Sequence, residues 1–162
     1  MFRNILLAGA SVIALAGSAW AVTPVEEIKV DADLTAIKNP EAAKIFVNLP
    51  DDLTGAIASR LPPDSLVKDN GVKILVKVDT VELASTWANL ADLSQSRLQG
   101  IVNVTEERNT GKSDHYDLSV SYPNATAFVP QGADVSVLTK DAGVYYTALI
   151  SAFADHVVSN LK

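Results

Sequence analysis

His115 stands among the residue types that a hydrolase or a metal centre would use. Asp114 precedes it, and Asp117, Ser119 and Ser121 follow at alternate positions of one segment. A Ser-His-Asp triad needs its side chains to converge beside an oxyanion hole, whereas residues spaced by two along a strand point in parallel. We therefore predict that His115 is a hydrogen-bonded surface histidine without a catalytic role, and that the chain is not an enzyme.

A second motif, Gly111-Lys112-Ser113, matches the end of a phosphate-binding loop. That loop needs another glycine five positions earlier, with a strand before it and a helix after it. Position 106 is a glutamate, and Asn109-Thr110-Gly111-Lys112 has the composition of a hairpin turn instead. We therefore exclude nucleotide binding here and predict no cofactor.

Metal ligands are sparse. The chain has two histidines and no cysteine, and it lacks an Asp-x-Asp-x-Asp-Gly run, so neither a zinc site nor an EF-hand calcium loop is supported. The adjacent Asp51 and Asp52 precede an apolar helical turn and are predicted to cap it. His156 lies beside the apolar stripe of the last helix and is predicted to be a packing residue. We predict no metal.

Trp87 is the candidate binding anchor. It lies in a stretch from Ser85 to Ser96 in which Trp87, Leu90 and Leu93 have helical spacing among polar residues. Tryptophan is enriched at binding hot spots because its large ring combines apolar area with a polar N–H group. A tryptophan that plugs the space beneath a loop would fit the same pattern, so both interpretations stay open.

The first 21 residues predict export. Arg3 is followed by an apolar run from Ile5 to Ala16 and by Ala19-Trp20-Ala21, the small-x-small pattern that signal peptidase recognises. An uncleaved membrane anchor would need about 20 apolar residues, and a lipoprotein would need a cysteine at the cleavage point. We expect cleavage after Ala21, with residues 22–162 forming a single soluble domain that has no membrane span.

The net charge and the lack of cysteine limit the class of partner and the cellular compartment that we expect for this chain. The formal net charge is −6, and loss of Arg3, the one charged residue of the leader, makes it −7. Acidic chains repel phosphate backbones, so nucleic acid is excluded as a partner. An exported chain without cysteine must depend on its hydrophobic core rather than on disulfides. We favour the bacterial periplasm, with an extracellular location as the alternative.

The first half of the mature chain predicts a strand, a broken helix and a second strand. Apolar residues alternate with charged ones between Val25 and Leu34, as in a strand with one wet face. Asn39-Pro40-Glu41 begins a helix, and Pro50 interrupts it. The second strand starts at Val72 and changes phase after Asp79, which predicts either a bulge near Asp79-Thr80 or a switch of the core-facing side.

The second half predicts a hairpin and a terminal helix. Leu98, Val102 and Val104 share one face of a third strand, and Tyr116 begins the alternation of a fourth. The last helix, from Asp141 to about Leu161, carries one apolar stripe suited to covering a sheet. Its members are Tyr145, Tyr146, Leu149, Ile150, Phe153 and Val157.

This order of elements predicts an α+β fold, a two-layer antiparallel sheet with helices packed on one face. It resembles the small α+β domains of periplasmic and outer-membrane accessory proteins of Gram-negative bacteria. The resemblance rests on the helix from Leu53 to Leu61 that Pro62-Pro63 closes, the strand from Val72 to Leu83, the hairpin and the terminal helix. It implies accessory work in envelope assembly or transport.

Two functions follow as hypotheses. The first is a non-catalytic envelope protein that binds a protein partner through the open sheet face or a strand edge. The alternative is a carrier of a small apolar molecule or lipid in a pocket between sheet and helices, for which four aromatic residues are plausible lining. They are Tyr116, Tyr122, Tyr145 and Phe153. A hydrolase centred on His115 is the least favoured of the three hypotheses.

Overall fold

The computed structural model describes residues 23–37, 40–82, 96–106, 113–139 and 141–161. These residues form an α+β fold in which a four-stranded sheet is combined with four α-helices. In chain order the elements are β1 (Val25–Ala32), α1 (Pro40–Phe46), α2 (Leu49–Ala58), β2 (Val72–Glu82), β3 (Arg97–Glu106), β4 (Ser113–Ser121), α3 (Tyr122–Ala125) and α4 (Ala142–Ser159).

The sheet is mixed, with the strand order β1-β2-β3-β4. β2 pairs antiparallel with β3, and β3 pairs antiparallel with β4, as the hairpin between them predicts. The prediction of a purely antiparallel sheet is wrong at one place, because β1 and β2 are parallel. Two parallel neighbours need a crossover connection, and here the segment containing α1 and α2 provides it.

β2 contains a bulge, the first of the two alternatives that its change of phase predicted. Its register with β3 shifts between Val78 and Thr80, so Asp79 is the extra residue and Val81 returns to the buried side. Gly100 lies directly opposite Val78, and a Cβ atom there would be 2.7 Å from the carbonyl oxygen of Lys77. The strand therefore needs a glycine where β2 bends toward it.

Alternate strand residues and the apolar sides of the helices form one core. α2 contacts β1 and α4, while α4 also contacts β3 and β4. Burial of these apolar side chains is the main favourable contribution to folding. The fully or nearly fully buried members include Ile74, Val76, Val78, Leu98, Val102 and Val120 from the sheet, and Leu53, Ile57, Leu149 and Phe153 from the helices.

α2 begins earlier than predicted. Asn48 is its N-cap residue, and Pro50 lies in the first turn, where its missing N–H would have no intrahelical partner in any case. Asp51 and Asp52 are therefore first-turn residues rather than caps, which places their negative charges near the positive end of the helix dipole. Asp52 also accepts a hydrogen bond from the Tyr146 hydroxyl at 2.7 Å, joining α2 to α4.

α4 confirms the predicted stripe. Asp141 caps it by accepting hydrogen bonds from the N–H groups of Gly143 and Val144 at 2.9 and 3.0 Å. All six predicted stripe residues are buried. His156 is not a packing residue, because it is exposed in the last turn, where its carbonyl accepts from the side chain of Asn160. Within the described residues, no helix has the length and apolar character that crossing a membrane requires.

Candidate binding surface

The polar side chains of the sheet lie at the strand positions that alternate with the core. We call these positions of β2, β3 and β4 the outer face. Strand register brings them together, because Leu75 lies opposite Asn103 and Asn103 lies opposite His115. The outer face consists of Lys73, Leu75, Lys77, Arg97, Gln99, Ile101, Asn103, Thr105, Ser113, His115, Asp117, Ser119 and Ser121.

His115 is exposed and forms a cross-strand pair with Asn103. Its Nδ1 atom is 2.6 Å from the Asn103 Oδ1 atom, so Nδ1 donates and the amide oxygen accepts. A catalytic histidine is usually oriented by a carboxylate and hydrogen-bonded to its nucleophile. Here an amide takes the orienting position, while Asp117 and Ser119 lie opposite Ile101 and Gln99. His115 is thus exposed and hydrogen-bonded, as predicted, and its lack of a catalytic role stays a prediction.

The outer face also carries apolar area among its polar groups. Leu75 of β2 is 41% exposed, and its diagonal neighbour on β3 is the half-buried Ile101, two residues from the directly opposite Asn103. Register places Lys77 opposite Asp31 of β1, while the Lys73 ammonium is 3.7 Å from the Glu26 carboxylate. Side chains of opposite charge thus face each other across β1 and β2, whereas the outer-face side chains of β3 and β4 are mainly uncharged and polar.

The end of β1 is ordered by a short-range hydrogen-bond pattern. Asp33 accepts from both the backbone N–H and the hydroxyl of Thr35, which begins a 3-10 turn. These hydrogen bonds, helped by the positive charge of Lys77, lower the pKa of the Asp33 carboxyl. The carboxylate is therefore used locally, as a cap.

The two edges of the sheet differ. At the start of β1, the Val25 N–H donates to the Ser65 carbonyl at 2.8 Å, and the Val67 N–H donates to the Val25 carbonyl at 2.9 Å. The segment from Ser65 to Val67 therefore occupies the free side of β1 at its first residue. At the other side of the sheet, β4 pairs only with β3 in the part of the chain that the structure describes. β4 is nine residues long, contains no proline, and exposes Asp114 and Asp117.

The aromatic residues proposed as pocket lining lie in or beside the core. Tyr145 and Phe153 are fully buried, and the ring of Tyr122 stacks on that of Tyr145 with centroids 6.0 Å apart. The Tyr145 hydroxyl donates to the Ser96 carbonyl at 3.3 Å. Burial raises the pKa of Tyr145 to about 12, against the opposing effect of that hydrogen bond. These three side chains therefore pack α4 against its neighbours.

Tyr116, the fourth of these residues, sits half-buried on β4. Its hydroxyl oxygen is shielded from solvent and has no hydrogen-bond partner of adequate geometry among the described residues. The Asn160 side chain, whose amide donates to the His156 carbonyl, is close enough to oppose a rise in the pKa of Tyr116. Burial, with the negative charge of Asp114, raises the pKa of Tyr116.

Some sequence-predicted sites lie outside the described residues. They are Trp87, the Gly111-Lys112 pair of the rejected phosphate loop, and the leader segment 1–21. Where the chain is described, no group of three or more His, Asp or Glu side chains is placed to hold a metal ion.

Sequence reasoning missed the Asn103–His115 pair and the exposure of Leu75. The signal for Leu75 was present, because it occupies an outward position between Lys73 and Lys77 in the alternation of β2. The signal for the pair was not, since it depends on the register of two strands. Register becomes known only when the turn and the paired residues are fixed.

Comparison with known proteins gives a weak likeness of shape alone. No protein-family model matches the chain, and no curated protein is significantly similar to it. A crystal structure of a candidate lipoprotein from Caulobacter crescentus CB15 aligns over 82% of this chain and 85% of its own, with 15% identity and a TM-score of 0.32. A PelC dodecamer variant from Paraburkholderia phytofirmans aligns over 80% and 87%, with 9% identity and a TM-score of 0.29.

Proposed function

We propose that this chain is a non-catalytic, exported binding domain of the bacterial cell envelope that holds an extended segment of a protein partner along the outer edge of β4. The observation that carries the proposal is the nine-residue strand β4, which pairs on one side only within the described chain. Such an edge presents unpaired backbone N–H and C=O groups, and an added strand satisfies them.

The contrast with β1 supports β4 as the binding edge. The segment from Ser65 to Val67 hydrogen-bonds to the start of β1, so a partner strand would have to displace it or begin beyond it. β4 also packs against α4, which supports the strand from its core side. A rigid edge binds an extended segment with a smaller ordering cost than a mobile one.

The side chains of β4 specify the kind of segment. Asp117 is exposed on the outer face, Asp114 is exposed near the start of the strand, and β4 contains neither lysine nor arginine. Residues directly opposite each other on antiparallel strands have Cβ atoms about 5 Å apart, where opposite charges attract. The partner segment should therefore carry lysine or arginine at an alternate position that faces Asp117.

Localisation follows from the leader. Residues 1–21 have the charged start, apolar run and small-x-small end of a signal peptide, and no cysteine is available for lipid attachment. In this proposal, the helices cover one side of the sheet and leave the outer face accessible beside the bound strand in the periplasm. No cofactor is needed for such a role.

Site-specific photo-crosslinking in intact envelopes tests the proposal. A photo-reactive residue at Ser119, exposed on β4, should give a discrete adduct with a partner, whereas one at Asp155, exposed on α4, should not. A matched pair of charge reversals then tests the contact. Asp117→Lys should reduce the Ser119 adduct several-fold, while Asp155→Lys should leave it unchanged. Equal adducts at both positions, or no effect of Asp117→Lys, would contradict binding at the β4 edge.

A further inference from the structure

We infer that Asn70 is a site of spontaneous modification, at which the chain forms a backbone succinimide and then aspartate or isoaspartate. Asn70-Gly71 lies in the turn immediately before β2. This inference is independent of the proposed function.

The glycine of this pair is sterically required. A Cβ atom at position 71 would lie 2.5 Å from the backbone nitrogen of Glu26 and 2.8 Å from the carbonyl carbon of Val25. Because the backbone of β1 occupies that space, no side chain can stand on the residue after Asn70. The nitrogen of Gly71 consequently carries no neighbouring Cβ substituent that would hinder its attack on the Asn70 side chain.

The reaction balances with water as the only co-reactant. The backbone nitrogen of Gly71 forms a bond to Cγ of Asn70, its proton passes to the departing amide nitrogen, and ammonia leaves as the Cγ–Nδ2 bond breaks. Water then opens the ring at one of its two carbonyl carbons. Opening at one carbon gives aspartate, and opening at the other moves the main chain through the side-chain carboxyl as isoaspartate.

Asn70 is also less restrained than most of the described asparagines; Asn48, exposed and without a side-chain capping hydrogen bond, is comparable, but it is followed by leucine. Asn70 is exposed, it has a positive φ of 67°, and its side chain makes no hydrogen bond to any described residue. The side chains of Asn103, Asn124 and Asn160 are each held by hydrogen bonds, to His115, to Ser121 and to the His156 carbonyl respectively. None of these three is followed by glycine.

Conversion of Asn70 to either product would disturb the hydrogen bonding between the first residues of β1 and β2. The Val72 N–H donates to the Pro24 carbonyl at 2.8 Å, and Val72 is the first β2 residue in register with β1. Isoaspartate adds one backbone carbon two residues before that pair, next to the place where Gly71 packs on the backbone of β1. Either product also places a new carboxylate beside Asp69. We therefore expect modified chains to exchange the Val72 amide hydrogen faster.

Peptide mapping of the folded full chain, aged in warm, mildly alkaline buffer, tests the inference. The peptide containing Asn70 should gain the mass that replaces an amine by a hydroxyl, should take up heavy oxygen from labelled water, and should become a substrate for an isoaspartate methyltransferase. Asn70→Gln should abolish these signals, since ring closure from glutamine is much slower. The control Asn124→Gln should leave them unchanged.

A parallel sample unfolded in urea separates the chemistry from the fold. Conversion at Asn70 in both samples supports the inference. Conversion in urea alone would show that the folded turn prevents ring closure, and would overturn it. Faster conversion at another asparagine of the folded chain would overturn it as well.

Discussion

Gly100→Ala and Gly55→Ala make the same chemical change and should alter stability in opposite directions. At Gly100, in β3, the new Cβ would lie 2.7 Å from the Lys77 carbonyl oxygen and 3.2 Å from the Cα atom of Val78. Both atoms belong to the backbone at the bulge of β2, so they cannot rotate away. At Gly55, exposed in α2, the new Cβ would meet nothing within 4 Å.

The magnitudes follow from these surroundings. Overpacking costs about 1 to 3 kcal/mol, and replacing glycine by alanine recovers roughly 0.4 to 1 kcal/mol by restricting the unfolded chain. Gly100→Ala should therefore lower the free energy of unfolding by about 1 to 2 kcal/mol. Gly55→Ala replaces a glycine within a helix and should raise the free energy of unfolding by roughly 0.5 to 1 kcal/mol.

Urea unfolding followed by circular dichroism measures both effects, with the dependence on urea concentration checked for a constant slope. The opposite signs are the decisive result. If Gly100→Ala were neutral or stabilising, the close approach of β2 and β3 at the bulge would be wrong. If Gly55→Ala destabilised the protein, position 55 could not be an open helical site.

Three further predictions concern α4. Phe153→Ala should cost about 3 to 5 kcal/mol because it empties a fully buried site, while Ser151→Ala should have little effect, and thermal unfolding compares the two. Asp141→Ala removes an N-cap with two hydrogen bonds and should cost about 0.5 to 2 kcal/mol, measured by urea unfolding. Folding raises the pKa of Tyr145 from 10.0 to about 12. Its contribution to the free energy of unfolding is therefore fully present below pH 10.0 and is lost as the pH rises toward 12. Tyr145→Phe should flatten the alkaline decline of the free energy of unfolding across this window.

The strands and the terminal helix could be predicted because each has one buried side. Val76 and Val78 alternate with lysine and aspartate in β2, and this period of two is set by the geometry of a strand. The phase change after Asp79 predicted either a bulge or a switch of the core-facing side for the same reason, and the structure has the bulge. In α4 the apolar residues from Tyr145 to Val157 follow the helical period, and all six predicted residues are buried.

The parallel pairing of β1 and β2 was missed because alternation shows which side of a strand is buried and not its direction. The information lay in the connection. α1 and α2 stand between the two strands, and a helical crossover joins parallel neighbours, whereas antiparallel neighbours can be joined by a short turn. The exposure of His156 was missed because it lies at the edge of the stripe: the next residue, Val157, is buried, and one step back along the helix turns His156 toward solvent.

The same crossover determines which edge is left for a partner. The chain leaves β1, passes through α1 and α2 and returns parallel to β1 as β2. The segment before β2 therefore runs beside the start of β1, where Ser65 and Val67 hydrogen-bond to Val25. The hairpin places β4 at the far side of the sheet, where the described chain returns as helices that contact its core side and not as another strand. An antiparallel β1 joined to β2 by a turn would bring no such segment to the β1 edge, and the two edges would be equivalent. The direction of one strand, which alternation cannot reveal, thus makes β4 rather than β1 the edge at which we expect a partner strand to bind.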